Sequence, residues 1–293
     1  MKKIILIKVS KFDFRYSNVV KYKKKFKIVY SSDNKNYDKK KVVAIIAGLE
    51  EYSKKIINRY PNLRIISRFG TGTDKIDHEY ANRKNILILR TKDEPVLPTA
   101  EFTISLILMI NRKLYLNIRT LKNLKWLQNQ GNNLNGKIIG IIGLGLIGKK
   151  VAKILKSFGC KIFYYDIKKI KSIKYKYSSL KNLFIKSDII CIHSNYTKDQ
   201  SDLINKKSLK LLKKNCILIN TARGDFVNEN DLFNHMKKNK NFYAGFDCFK
   251  KEPYDGKLLK LENFFGTPHV SSNTYESRLQ MSKKSFMNII NNL

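Results

Sequence analysis

The sequence predicts an α/β protein of two doubly wound parallel-sheet domains in series, with a cleft between them. Three observations predict it. Short apolar runs alternate with helix-like stretches, the alternation restarts at Leu134 after a long helical segment, and the restart runs straight into a glycine loop. With 293 residues, 43% of them hydrophobic, there is material for two ordinary cores.

The first strand is expected at residues 4–9, because the apolar run after Lys2 and Lys3 is too short for a leader and no small-residue cleavage site follows. Strands follow at 42–47, 63–67 and 86–89, with helices over 51–59 and 75–83. Pro95 and Pro98 restrict the chain ahead of a long helix expected over 99–121, so the first crossing between domains is put near residue 98. The second series has strands at 137–142, 161–165, 188–193, 216–220 and 241–246. Residues 275–293 carry Leu279, Phe286, Ile289, Ile290 and Leu293 and read as a helix returning to the first domain. The expected domains are therefore 1–98 completed by 275–293, the substrate domain, and 99–274, the nucleotide domain.

Composition excludes several function classes. Charged or amide residues interrupt every apolar stretch, the longest being 102–110, so no span of a membrane is expected. The formal net charge of +36 invites a polyanion-binding reading. The lysines are scattered, however, and accompany abundant Asn and Ile, as an AT-rich coding sequence would produce, and blocks such as Lys39-Lys40-Lys41 read as solvated faces. No specific nucleic-acid site is expected. The cysteines, Cys160, Cys191, Cys216 and Cys248, are far apart and mostly beside apolar runs, which suits buried thiols in the reducing cytoplasm. No two of the four histidines have metal-ligand spacing, and no metal is expected.

Residues 137–142 form a buried-strand candidate that leads into Gly143-Leu144-Gly145-Leu146-Ile147-Gly148 and then a helix-like stretch. In that context Gly143 permits the tight turn, Gly145 lets backbone amides approach a pyrophosphate, and Gly148 lets helix and strand pack closely. Leu146 and Ile147 complete the cofactor-binding set at the helix start. The next strand ends in Asp166, near the position of a ribose-binding acid. A carboxylate there accepts two ribose hydroxyls and repels a 2′-phosphate, so NAD is expected over NADP; Lys168 and Lys169 act against that preference.

Three later strand ends carry Arg223, Glu252 and His269. In a doubly wound sheet such ends converge. Singly, each has a structural explanation: a surface cation, a loop acid, a turn histidine. Together, in the order Ser67-Arg68-Phe69-Gly70-Thr71-Gly72-Thr73-Asp74, Ala100-Glu101, the glycine loop, Asn220-x-x-Arg223-Gly224, Asp247 with Glu252-Pro253, and Thr267-Pro268-His269, the chain resembles the D-2-hydroxyacid dehydrogenase family, particularly its D-3-phosphoglycerate dehydrogenase branch.

The resemblance implies hydride transfer between NAD(H) and C2 of a D-2-hydroxy acid, with 3-phosphoglycerate among the substrates it admits. It gives Arg223 the substrate carboxylate and the C2 oxygen, His269 the acid/base step and Glu252 the partner of His269. Gly70, Thr71 and Gly72 are given to the substrate, and Ser194, Thr221 and Asp247 to the cofactor. A homodimer through the long helix is implied too. The chain departs from the family at Val270-Ser271-Ser272, at Arg90-Thr91-Lys92, and in lacking an arginine at Ala47-Gly48-Leu49-Glu50. Arg68 and Arg90 are extra cations that could meet a phosphate. The alternative is a non-catalytic NAD(H) sensor or corepressor-like protein on the same scaffold.

Overall fold

The computed structural model describes residues 2–10, 12, 13, 19–31, 36–170 and 174–293. The chain divides into two compact units, one of Met1–Pro95 with Asn273–Leu293 and one of Val96–Ser272.

In the first unit, β1 (Lys3–Lys8), β2 (Phe26–Tyr30), β3 (Val42–Ala47), β4 (Ile65–Arg68) and β5 (Leu87–Arg90) form a parallel sheet in the order β2-β1-β3-β4-β5. The connecting helices are short: α1 (Val19–Tyr22), α2 (Lys54–Ile57) and α3 (His78–Arg83). The β3 sequence VVAIIA is buried at every position, as a central parallel strand covered on both faces requires. The strand repeat sends Ile4 and Leu6 to a cluster with Tyr52, Ile57 and Tyr80, while Ile5 and Ile7 face the other side.

The second unit opens with α4 (Val96–Asn111) and α5 (Leu114–Lys122). Its strands are β6 (Ile138–Ile142), β7 (Lys161–Tyr165), β8 (Lys176–Tyr177), β9 (Ile189–Ile192), β10 (Ile217–Asn220), β11 (Tyr243–Phe246) and β12 (Phe264–Gly266). They are joined through α6 (Leu146–Ser157), α7 (Leu180–Lys186), α8 (Lys206–Leu209) and α9 (Glu229–Lys238). The parallel order is β12-β11-β10-β9-β6-β7-β8, so the winding reverses between β6 and β9. Ligands bind beyond the carboxyl ends of strands at such a reversal. Finally α10 (Tyr275–Ile290) returns to the first sheet, where Met281, Phe286 and Ile289 pack on the face carrying Ile5 and Ile7.

The structure differs from the sequence expectation at several elements. The long helix is two: the chain turns at Lys113, φ 51°, and the returning strand of chain crosses there, with Asn111 and Asn132 exchanging hydrogen bonds. The first of the two starts earlier than residue 99, because Pro98 falls in the first turn, where a missing N–H costs no intrahelical bond. Residues 51–59 hold only the short α2. The strands β2, β8 and β12 add to both sheets at their edges.

Candidate active site

Neighbouring strands β10, β11 and β12 end together, and the loops that follow carry the three candidate catalytic residues. After β10, Asn220 staples the turn: its Oδ1 accepts from Ala222 N at 3.1 Å and its Nδ2 donates to Arg223 O at 2.8 Å. Arg223 is half-buried, and its Nη1 donates to Ala222 O at 2.7 Å. Gly224 is a close approach. A Cβ there would lie 2.0 Å from Phe249 C and 2.1 Å from Lys250 N, so only glycine lets the two loops touch.

After β11, the fully buried Asp247 clamps the loop that follows β12. One carboxylate oxygen accepts from Thr267 Oγ1 at 2.6 Å and Val270 N at 2.8 Å, the other from Ser271 N at 2.7 Å. Between these anchors His269 sits at φ 54°, a left-handed conformation that costs a non-glycine residue of order 1 kcal/mol or more and persists where surrounding bonds enforce it. Glu252 Oε1 accepts from Phe249 N at 3.1 Å, which turns the carboxylate inward. The result is a pair: His269 Nδ1 lies 3.0 and 3.1 Å from the two Glu252 oxygens, with the side chains 22% and 20% exposed. A carboxylate on Nδ1 fixes the tautomer and leaves Nε2 for a reacting oxygen. Arg223, a guanidinium on the adjoining loop, adds the fork that a carboxylate ligand accepts.

The second half of the site is the glycine loop after β6. Gly143 has φ 89°, and a Cβ on it would fall 2.5 Å from Ser194 N; a Cβ on Gly148 would fall 2.2 Å from Gly143 O. Gly145, the N-cap of α6, has nothing within 4 Å of a Cβ position, and no side chain caps the helix. Open amides at a helix start with no acid in the first turn form an anion cradle. Leu146 and Ile147 stand in that first turn. At the end of β7, the half-buried Asp166 accepts from Leu144 N at 2.8 Å, which points its carboxylate along the loop. These residues fit a dinucleotide: a pyrophosphate over Gly145 and ribose hydroxyls on Asp166.

Of the other candidates, Thr221 is buried with its hydroxyl 3.1 Å from that of Thr103 on α4, and Ser194 Oγ donates to Asn195 O at 3.3 Å. In the first unit, Gly70 N donates to Thr91 Oγ1 at 2.7 Å, Thr71 Oγ1 donates to Lys92 O at 3.3 Å, and Gly72 follows, half-buried, in irregular chain. Arg68 is buried, its guanidinium folded onto the carbonyls of Phe69 and Ala47. Arg90 is exposed and donates to Thr71 O at 3.3 Å.

Two residues escaped the sequence reading. His193, at the end of β9, has both ring nitrogens buried without a protein partner, and burial pushes its pKa down to about 3. Cys248 lies beside the Glu252–His269 pair. For His193 the signal was a histidine closing a buried strand. For Cys248 there was none, since its neighbours come from separate loops.

Comparison with known proteins bears on this arrangement. Residues 104–271 match the family model described as D-isomer specific 2-hydroxyacid dehydrogenase, NAD binding domain. A glyoxylate reductase of Thermococcus litoralis is 33% identical over 255 residues, 82% of this chain and 77% of that one. A D-3-phosphoglycerate dehydrogenase of Methanocaldococcus jannaschii is 32% identical over 244 residues, 80% of this chain and 47% of that one. Among solved structures, D-lactate dehydrogenase from Aquifex aeolicus, complexed with NAD and lactic acid, superposes with a TM-score of 0.89 at 26% identity, covering 99% of this chain and 95% of that one.

Proposed function

Since this chain belongs to the D-isomer specific 2-hydroxyacid dehydrogenase family, we propose that it reduces a small 2-keto acid to the D-2-hydroxy acid with NADH, using Arg223, Glu252 and His269. The observation that carries this is the Glu252–His269 pair at 3.0 Å, on a loop clamped by Asp247 and next to the Arg223 turn. When bound, NADH supplies the hydride that C2 receives. His269 gives a proton from Nε2 to the C2 oxygen while Glu252 holds the proton on Nδ1 and stabilises the charged ring. Arg223 grips the substrate carboxylate in two hydrogen bonds and faces the negative charge that grows on the C2 oxygen. In the oxidative direction His269 takes the proton back.

The α6 N-terminus with Gly143, Gly145, Leu146, Ile147 and Gly148 holds the pyrophosphate, and Asp166 holds the ribose and disfavours a 2′-phosphate. Ser194, Thr221 and Asp247 border the cofactor, and Gly70, Thr71 and Gly72 offer backbone to the substrate. The substrate reading favours glyoxylate-like acids over 3-phosphoglycerate. Its support is that Arg68 and Arg90, the two cations that could meet a phosphate, both engage backbone carbonyls, Arg68 those of Phe69 and Ala47 and Arg90 that of Thr71.

The homodimer forms through α5 and the segment after it, where Leu114, Ile118, Leu121, Leu124, Trp126 and Leu127 are all exposed, an apolar patch of the kind that marks an association surface. The protein works in the cytoplasm, a reading supported by four cysteines that are all thiols. No helix among the described residues is long and apolar enough to cross a membrane.

The test is loss of NADH absorbance with glyoxylate, hydroxypyruvate, pyruvate and 3-phosphohydroxypyruvate, repeated with NADPH. Turnover of an unphosphorylated acid with NADH is expected. Equal efficiency with NADPH would remove Asp166 from the ribose site, and turnover of the phosphorylated acid alone would return the substrate to the phosphoglycerate branch.

A further inference from the structure

We propose that Cys248, Glu252 and His269 together form a site for one thiophilic divalent cation of the Zn²⁺ class, which locks the acid/base pair when it binds. A sulfur, a carboxylate oxygen and an imidazole nitrogen from these residues all lie within 4.8 Å of one another. The donors of a tetrahedral zinc site, with bonds of about 2.0–2.3 Å, stand roughly 3.3–3.8 Å apart. The Glu252–His269 edge, at 3.0 Å, falls a few tenths of an ångström short of that range and the widest separation in the set is no more than 4.8 Å, so closing the set asks only for side-chain adjustments of order an ångström.

The surroundings favour occupation. Cys248 is fully buried and Glu252 and His269 are four-fifths buried, so few waters need be displaced. One thiolate, one carboxylate and a neutral imidazole carry two negative charges, which a divalent cation cancels; a half-buried site tolerates that neutral assembly better than a charged one. The mixed sulfur, nitrogen and oxygen set selects zinc, cadmium or cobalt against magnesium and calcium. The backbone is already braced. Asp247, next to Cys248, bonds Val270 and Ser271 on the far side of His269, so the three donors are held on one clamp. Asp247 itself is not a ligand, since both its oxygens are engaged.

On binding, the Cys248 thiol releases its proton to solvent. The metal takes the place of the proton between His269 Nδ1 and Glu252. In the neutral ring that proton is transferred through solvent to Nε2, and in the doubly protonated ring it leaves to solvent, so that in either case the bound imidazole is neutral with its one proton on Nε2. A ring held by metal on one nitrogen cannot also shuttle a proton through the other. The metal site stands on its own geometry; the inhibition rests on the catalytic role proposed above for Glu252 and His269.

The experiment titrates the purified full-length, metal-free protein with Co²⁺ and reads the near-ultraviolet thiolate-to-cobalt charge-transfer absorption. A band that saturates at a single equivalent and is bleached by Zn²⁺ is expected. Cys248→Ala should abolish it, and Glu252→Gln should weaken Co²⁺ binding roughly tenfold or more. In parallel, Zn²⁺ should inhibit keto-acid reduction by the wild type at concentrations roughly tenfold or more below those needed for Cys248→Ala, whose metal-free turnover is unchanged. Cys248→Val, which fills the same space, repeats the comparison should the alanine variant fold poorly. Absence of the band in the wild type, or a band that survives in both Cys248 variants, overturns the proposal. A band lost with Cys248 while turnover ignores Zn²⁺ upholds the metal site and removes Glu252 and His269 from the reaction.

Discussion

His269 combines two properties that rarely coincide, a left-handed backbone and a carboxylate on Nδ1, and each has an identifiable cause. The Asp247 clamp enforces the first, and the Phe249 amide that orients Glu252 produces the second. Replacing Glu252 by Gln removes the carboxylate that orients the ring, and keto-acid reduction should slow roughly tenfold or more while NADH affinity is retained. His269→Gln should lose about 10²–10⁴ in kcat while NADH binds almost as before, because the glycine loop and Asp166 lie on other strands. Steady-state kinetics and a fluorescence titration of NADH check both; unchanged turnover in Glu252→Gln would dissolve the pair as a unit. At this scale the sequence was informative where chemistry-bearing residues sit at strand ends, as Arg223, Glu252 and His269 do. It was silent about Cys248 and the clamp, whose partners are assembled only by the parallel register of β10, β11 and β12.

Elements bring two of these residues together through a tight backbone contact. The Gly224 approach to the Phe249–Lys250 backbone couples the Arg223 turn to the Glu252 loop. Gly224→Ala should force the loops apart and cost about a hundredfold in kcat/KM, with cofactor affinity and secondary structure retained, as a misplacement of about 1 Å predicts. Steady-state kinetics with circular dichroism measure this; unchanged kinetics would mean the coupling is idle.

At the amino ends of the central strands of the same sheet, Asp188 joins the starts of β6, β9 and β10, accepting from Lys213 Nζ at 2.7 Å and Ile138 N at 2.8 Å. Burial pushes its carboxyl up, but these bonds outweigh burial and hold it below the usual value. A lowered folded value stabilises the protein above the unfolded carboxylate pKa of about 3.9 and stops doing so as pH falls through the folded one. Asp188→Asn should therefore melt a few degrees below wild type at neutral pH, with the gap closing below about pH 4. A gap independent of pH would show that shape and not charge is at stake. Element legibility followed hydrophobic continuity: the isoleucine-rich central strands were plain in the sequence. β2, β8 and β12 were not, being short edge strands broken by lysine, tyrosine or glycine. Nor was the break at Lys113, which depends on the chain that crosses it.

For the whole molecule, the two-sheet plan was readable because the strand–helix rhythm restarts after a single long interruption, and the reversal between β6 and β9 falls where the glycine loop lies. The net charge of +36 belongs to this scale too. Lysines spread along the chain should retain the protein on DNA or RNA of any sequence at low ionic strength and release it steeply as salt rises. Binding assays at several salt concentrations test this, and a sequence-selective complex surviving physiological salt would reveal an organised site. Trp126 has a consequence of another kind. It is the only tryptophan in the chain and is 82% exposed, so the red-edge emission of the protein is that of a single indole in water. Should two copies meet over it, emission shifts to the blue and quenching by acrylamide or iodide falls. A dilution series read at one wavelength then follows self-association without any label, and a spectrum that stays red at every concentration would move the contact elsewhere.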